Sequence, residues 1–313
     1  MNKYMVLMVS SIFFSISTQN ANKPQYHFAD STESSALKIL SWNIYMLPFI
    51  SLINNNDERA TLIADKLNAS DYQIIVFQEA FSSKCRHILA KKLSINYPFQ
   101  YGPANKNRFP LRTNSGLWVV SKIPLTEVNQ IQFSVSKGFD AVARKGAVLF
   151  EGCYRGNVFQ LLATHLQADH DDAIRKQQCV EIKEHLLDQY ARENIPQFIC
   201  GDFNIDRYDT PNYRQMLQSL DAKNGEFTGN IQVTYDELYN NLAYKAEGKR
   251  RMIDYVLVRN STFIVKMERK VKIFFSNISA LNCLSDHYAI EFSVNFADTL
   301  DRINTNDQLM SLR

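Results

Sequence analysis

Short apolar runs, each ending abruptly on a polar side chain, recur along this chain. Leu37-Lys38-Ile39-Leu40-Ser41-Trp42 runs into Asn43, Ile74-Ile75-Val76-Phe77 into Gln78-Glu79, and Gln197 to Cys200 into Gly201-Asp202. Leu117 to Val120, Gly146 to Phe150, Val158 to Ala163, Ile253 to Val258 and Ala289 to Phe296 are of the same strand type, with Arg155-Gly156-Asn157 as a turn. Helical spacing appears in Asp57 to Asn68, through Ala60, Ile63, Ala64 and Leu67, with Asp57 as the expected N-cap. Cys85 to Leu93, Asp172 to Arg192 and Pro211 to Leu220 are the other expected helices. Gly102 to Ser115 is a basic loop with two prolines, and a polar loop region follows Leu220 as far as Arg251. Strands outnumber helices, and the helices are dispersed among them. Two sheets packed face to face with helices outside fit this order better than a regular βαβ winding. No internal repeat or interdomain linker interrupts residues 37–297, which read as one domain.

The polar ends of the strands carry the chemistry. A carboxylate, amide or imidazole at a strand mouth is costly to bury unless something pairs with it. Asn43, Glu79, His165, Asp202, Asn204, Asp286 and His287 repeat that placement, so they point to one converging site. Hard oxygen donors suit Mg²⁺-like ions and histidines suit proton transfer, a combination that implies metal-assisted phosphoester cleavage. In Gly201-Asp202-Phe203-Asn204, extended geometry puts Asp202 and Asn204 on the same side. An Asx-type turn after the strand is the competing reading of that string. In Ser285-Asp286-His287 the aspartate is a candidate metal ligand and His287 a candidate base. Asp254, a charge inside Met252-Ile253-Asp254-Tyr255, needs a partner. Pairing with His287 orients the ring and stabilises its protonated form, whereas a backbone hydrogen bond is the structural alternative. Glu79 is the best single metal ligand, with Asn43 beside it or on the phosphate.

Composition narrows the class. A 45% apolar content over 313 residues supports a substantial core, and a net charge of +3 lacks the basic stripe of a nonspecific nucleic-acid binder. Residues 1–21 have the form of a secretory signal peptide: Lys3, an apolar stretch from Met5 to Ile16, then small residues with cleavage after Ser17 or Ala21. Residues 22–36 read as a flexible leader and 298–313 as a polar tail. The five cysteines have no metal-type spacing, and none is placed as a nucleophile, although an exported chain permits a disulfide.

In combination these motifs resemble the endonuclease/exonuclease/phosphatase superfamily, with its deoxyribonuclease-like fold: Asn43, Glu79, Gly201-Asp202-Phe203-Asn204, Ile253-Asp254-Tyr255 and Ser285-Asp286-His287. Within it the chain is most similar to secreted bacterial sphingomyelinases. That narrower resemblance rests on Asn43-Ile44-Tyr45-Met46-Leu47, Val120-Ser121-Lys122, Lys145-Gly146, Thr164-His165-Leu166-Gln167-Ala168, Phe227-Thr228-Gly229 and Ser285-Asp286-His287-Tyr288. The resemblance implies an α/β (α+β) four-layer sandwich of two packed mixed β-sheets flanked by helices. It implies Mg²⁺, or another divalent ion, held by Glu79 with Asn43 beside it, and Asp202, Asn204, Asp286 and His287 lining the other side. His287 is then the general base and His165 the transition-state stabiliser or acid. The implied reaction is hydrolysis of sphingomyelin to ceramide and phosphocholine by a monomer at a sphingolipid membrane surface, with no nucleic-acid partner.

Two rivals stay open. A nuclease of the same fold is one, with Lys106, Arg108 and Arg112 as phosphate contacts. Another phosphoesterase is the second, although the Cys-Asp-Arg string of inositol-phosphate phosphatases is missing near Met252 to Tyr255. One departure stands out. Sphingomyelinases carry a long hairpin with exposed aromatics before the Ser-Asp-His string, and here Lys270 to Leu284 is short. Phe274-Phe275 reads either as a reduced hairpin tip or, with slight preference, as strand core.

Overall fold

The structure is a computed structural model and describes residues 36–47, 54–105, 113–168, 171–245 and 247–297. The expected signal peptide, most of the leader, the polar tail, Lys106, Arg108 and Arg112 lie outside the described residues.

The first sheet contains β1 (Leu37–Asn43), β2 (Ile74–Gln78), β3 (Phe99–Tyr101), β4 (Trp118–Ser121), β12 (Ile264–Lys272) and β13 (Ala289–Phe296) in the order β12-β13-β1-β2-β4-β3. The second contains β5 (Leu125–Gln132), β6 (Gly146–Tyr154), β7 (Asn157–His165), β8 (Gln197–Asp202) and β11 (Asp254–Arg259) in the order β11-β8-β7-β6-β5. Both are mixed: β1 with β2 and β7 with β8 are parallel, and the other pairs are antiparallel. A two-stranded ribbon, β9 (Tyr235–Asp236) and β10 (Arg250–Arg251), lies in the stretch read as polar loop.

Strand parity explains the layers. In β1, Leu37 and Ile39 join the core between the sheets, while Leu40 and Trp42 pack under the helices. In β2, Ile74 and Val76 face one way and Ile75 and Phe77 the other. A strand buried on both faces reads as a continuous apolar run, which is the pattern seen in the sequence. The helices α1 (Asn56–Asn68) and α2 (Ser83–Leu93) cover the first sheet through Ala60, Ile63, Ala64, Leu67, Cys85, Leu89 and Leu93. On the second sheet, α3 (Asp172–Ile182) and α4 (Thr210–Leu220) contribute Cys179, Ile182, Met216 and Leu220. The four layers are therefore helix, sheet, sheet, helix, as the resemblance implies.

Local departures have physical causes. Helix α1 begins one residue early, with Asn55 at φ 50° as its N-cap, because asparagine tolerates left-handed backbone; the Asp57 carboxylate pairs with Lys84 instead. The expected helix to Arg192 stops being α-helical at Ile182 and continues as a π-helical turn, Lys183–Leu187. The wider turn lets the consecutive Leu186 and Leu187 both reach the core. Strands β5 and β12 escape the sequence reading because each is an edge strand with a mostly polar, partly exposed pattern. Phe274 is buried and stacks on Trp42 at 4.6 Å, but Phe275 is 66% exposed, so the pair is neither a strand core nor an exposed tip.

Candidate active site

The same parity builds the site. Along β1 the residues facing the other sheet are Leu37, Ile39, Ser41 and finally Asn43. In the second sheet His165 pairs in register with Asp202, and Asp202 with Asp254. One register step deeper, Cys200 lies between Ala163 and Val256; two steps deeper, Phe198 lies between Leu161 and Val258. His165, Asp202 and Asp254 thus stand side by side at one end of three neighbouring strands, on the face that packs against Phe292 of β13. Gly201 is required here, because a Cβ would lie 2.2 Å from the Thr164 carbonyl oxygen of β7.

One bond ties Asn43 across to the other sheet, and one ties it to the segment before β13. Asn43 Nδ2 donates to Asp202 Oδ2 at 3.1 Å, and Ser285 Oγ donates to the Asn43 carbonyl at 2.7 Å. The Ser285-Asp286-His287 segment precedes β13 and is fixed further by Trp42 Nε1, which donates to the His287 carbonyl at 3.0 Å. His287 Nδ1 is 2.9 Å from Asp254 Oδ2, so the expected orienting pair is formed, and Nε2 is 3.7 Å from Asp202 Oδ2. Burial would lower the His287 pKa. The carboxylates Asp254, Asp202 and Asp286 outweigh burial and hold the ring protonated well above its usual range.

Glu79 follows β2 in left-handed backbone at φ 54°, and Tyr45 and Asn204 share that conformation at φ 51° and 53°. For Tyr45 and Glu79, which lack asparagine's tolerance of it, this backbone costs about 1 kcal/mol or more. The Glu79 Oε2 atom is buried with no hydrogen-bond partner among the described residues. Burial, then Asp286, raises the Glu79 carboxyl to about 7, against the pull of Lys145, His287 and Asn43. Asp202 is raised to about 6 by burial and by Asp254. Four carboxylates (Glu79, Asp202, Asp254 and Asp286) therefore share a buried space with too little positive charge around them, a donor set that fits a hard cation. Asp202, Asp254 and His287 also lie with ligand atoms within 4.8 Å of one another. The Asp254–His287 hydrogen bond already uses two of those atoms, so the unpartnered Glu79 oxygen is the better anchor for an ion.

Asn204 is placed differently from the extended expectation. Strand β8 ends at Asp202, and the Asn204 N–H donates to Asp202 Oδ1 at 3.0 Å, the Asx-type turn. The turn swings the amide so that Nδ2 donates to the Leu166 carbonyl at 3.2 Å, beside His165 rather than along the line of Asp202.

Lys145 and Asp140 were missed as functional candidates by the residue reading. Lys145 is buried, with Nζ 3.0 Å from His165 Nε2, 2.8 Å from the Leu166 carbonyl and 2.9 Å from Asp140 Oδ1. An ammonium only donates, so His165 Nε2 accepts and Nδ1 carries the proton. Burial and then Lys145 hold the His165 pKa well below the usual value. His165 is therefore a neutral N–H donor, a group suited to stabilising an anion rather than to protonating a leaving group. Arg59, also missed, is buried in α1 and donates to the carbonyls of Ile44, Tyr45 and Leu284, tying the loop after β1 to the approach to Ser285.

Comparison with known proteins agrees with this construction. The chain is 27% identical to a phospholipase C of Staphylococcus aureus over 249 residues, 72% of this chain and 74% of the relative. It is 28% identical to a sphingomyelinase C of Listeria ivanovii over 250 residues, 71% and 72% of the two chains. Its fold is similar to a Staphylococcus aureus beta toxin variant solved with bound magnesium ions, at TM-score 0.72 and 24% identity, covering 84% of this chain and 99% of that one. Residues 40–287 match the model of the Endonuclease/Exonuclease/phosphatase family, and the chain belongs to that family.

Proposed function

We propose that this protein hydrolyses sphingomyelin to ceramide and phosphocholine with a divalent ion, Mg²⁺ by preference, at Glu79. The carrying observation is the buried Glu79 oxygen without a partner among the described residues, on a carboxyl that feels Asp286, Lys145, His287 and Asn43, with His287 in turn paired to Asp254. The similarity to named sphingomyelinases C supports the choice of substrate, and the magnesium-bound beta toxin supports the choice of ion.

The residues divide the work as follows. Glu79 is the principal ligand, with Asn43 beside it, and Asp202, Asn204 and Asp286 complete the oxygen set. When bound, the ion neutralises charge on the leaving oxygen and offsets the carboxylates that otherwise keep His287 protonated. His287 Nε2 takes a proton from the attacking water, while Asp254 fixes the ring through Nδ1. His165 presents its Nδ1–H, which has no partner among the described residues, to a nonbridging phosphoryl oxygen, and Lys145, its three donors taken by His165, Leu166 and Asp140, fixes that tautomer. The bond from phosphorus to the ceramide oxygen breaks as the new bond to water forms, and the ceramide oxygen then takes its proton from solvent. Export through residues 1–21 and action as a monomer on a sphingolipid surface belong to the same proposal.

The test is phosphocholine release from sphingomyelin vesicles, with Mg²⁺ and with chelator, run beside supercoiled plasmid. Metal-dependent phosphocholine release with intact plasmid is the expected result. Nicked plasmid with untouched lipid would overturn it in favour of the nuclease reading.

A further inference from the structure

The exposed apolar side chains are unevenly distributed. Among the described residues, eleven large hydrophobic side chains are exposed, and five of them fall between residues 208 and 244: Tyr208, Ile231, Leu238, Tyr239 and Tyr244. Leu238, Tyr239 and Tyr244 are 54%, 68% and 79% exposed. They stand on a loop held from below by buried polar groups. Asp236 Oδ1 accepts from the Leu238 and Tyr239 amides, both at 3.1 Å, and Asn240 Nδ2 donates to the carbonyls of Ser285 and Asp286 at 2.8 and 2.9 Å. Asn241 and Asn282 exchange amide-to-side-chain bonds, each 3.1 Å, and Asn282 Nδ2 donates to the Tyr239 carbonyl. The loop is thus a fixed platform clamped to the segment before β13 that carries Asp286 and His287. Neither tyrosine ring is part of the clamp, because the bonds at these residues use backbone atoms.

The aromatic pair before the Ser-Asp-His string does not provide an equivalent surface. Phe274 is in the core, and Phe275 opens onto a groove of about 740 Å³ with Lys66, Tyr72, Lys272 and Glu291. The chemistry of the platform suits an interface between water and lipid. Tyrosine has an apolar ring and a polar tip, and settles at the headgroup level of bilayers. Arg250 sits 5.3 Å from the Tyr239 ring centre and Lys249 is exposed next to it, so the rings are flanked by cations, each also paired with a carboxylate, Asp236 at 3.0 Å and Glu247 at 2.6 Å.

We propose that Leu238, Tyr239 and Tyr244 form a membrane-docking surface that settles into the headgroup layer of a phosphocholine-lipid bilayer and presents the His287 side of the site to it. The lipid as partner rests on the sphingomyelin reading above; the surface itself rests on exposure and the clamp.

The experiment is co-sedimentation of the full chain with sphingomyelin–cholesterol vesicles in chelator, where binding is read without turnover. The double variant Tyr239→Ser, Tyr244→Ser should lose about tenfold in partitioning. Phe275→Ser and Ile95→Ser, the latter a distant exposed apolar residue, should keep wild-type partitioning. Circular dichroism of the double variant should match wild type. Unchanged partitioning of the folded double variant, or an equal loss in Ile95→Ser, would overturn the proposal. So would a wild-type dimer that the double variant abolishes, since the surface would then meet a second copy of the chain. Failure of the sphingomyelin reading shows separately, as absent phosphocholine release in Mg²⁺ while the tyrosine-dependent partitioning remains.

Discussion

Lys145 Nζ lies 3.0 Å from His165 Nε2, and this contact sets the character of the histidine. The same ammonium is ion-paired with Asp140, whose other oxygen accepts from the Ala168 amide at 2.6 Å. Lys145 therefore joins the 3₁₀ turn Gly138–Ala141 to the end of β7. Lys145→Met leaves Asp140 as a largely buried carboxylate without its cation, a change that costs about 3 kcal/mol. Adding Asp140→Asn should restore most of that stability. It should not restore turnover, which falls about a hundredfold or more once nothing holds His165 in its Nδ1–H tautomer. Urea unfolding and steady-state rates on the two variants check this. Activity that returned with stability would make Lys145 structural only.

The Asp254–His287 pair predicts a split between charge and shape. His287→Ala removes the base and should lower kcat by about a thousandfold with the fold intact. Asp254→Asn keeps the size of the partner at Nδ1 but removes its charge, so it should lower kcat less than His287→Ala while leaving KM near wild type. Michaelis parameters on vesicles, with circular dichroism as the control for folding, separate these outcomes. A wild-type rate in His287→Ala would end the base assignment.

How much of this was legible beforehand follows from strand parity. Asn43, Asp202 and Asp254 continue the inward-facing alternation of their own strands, so the sequence pattern already placed them at strand ends on one face. His165 is the last residue of β7 and was equally visible. For Asn204 the spacing leaves two local geometries open, and of these the structure takes the Asx-type turn, because the strand stops at Asp202 and left-handed backbone replaces the extended form. Lys145 enters the sequence reading only through the Lys145-Gly146 string of the resemblance, not as a site residue, for a different reason. Its partners, His165 and Asp140, come from separate segments, and a lone lysine before an apolar run ordinarily signifies solvent. The edge strands β5 and β12 were invisible because one face of each meets water and breaks the apolar run.

Glu237 should shape the acid limb of stability. Its carboxylate accepts from the Glu247 and Lys249 amides at 2.8 and 3.3 Å and pairs with Arg251. Burial works against the charged form, but these partners outweigh it and depress the pKa below the ordinary 4.5. A depressed carboxylate contributes its stability in full above the unfolded-state pKa and loses it as pH falls through the folded value. Glu237→Gln should therefore destabilise the protein near neutral pH, and the difference from wild type should shrink in acid below that ordinary value. Urea midpoints across the acid range measure it, and a gap that widened on acidification would contradict the sign.

Glu79 offers the sharpest test of the metal, because its carboxylate costs free energy when no ion is present. Burial and Asp286 already raise it to about 7, and its Oε2 lacks a partner among the described residues. In chelator, Glu79→Gln should be at least as heat-stable as wild type near neutral pH, since the amide removes a buried negative charge from beside Asp286. With Mg²⁺ the order should reverse. A ligand that binds only the folded state at about a hundred times its Kd adds about 2.7 kcal/mol, so wild type should rise in Tm while Glu79→Gln barely moves. Turnover should be lost in the variant whatever the Mg²⁺ concentration. Thermal melts of both proteins, with ion and with chelator, read all of this without reference to substrate. An equal Mg²⁺-induced shift in the two proteins would move the ion away from Glu79 and towards the cluster of Asp202, Asp254 and His287.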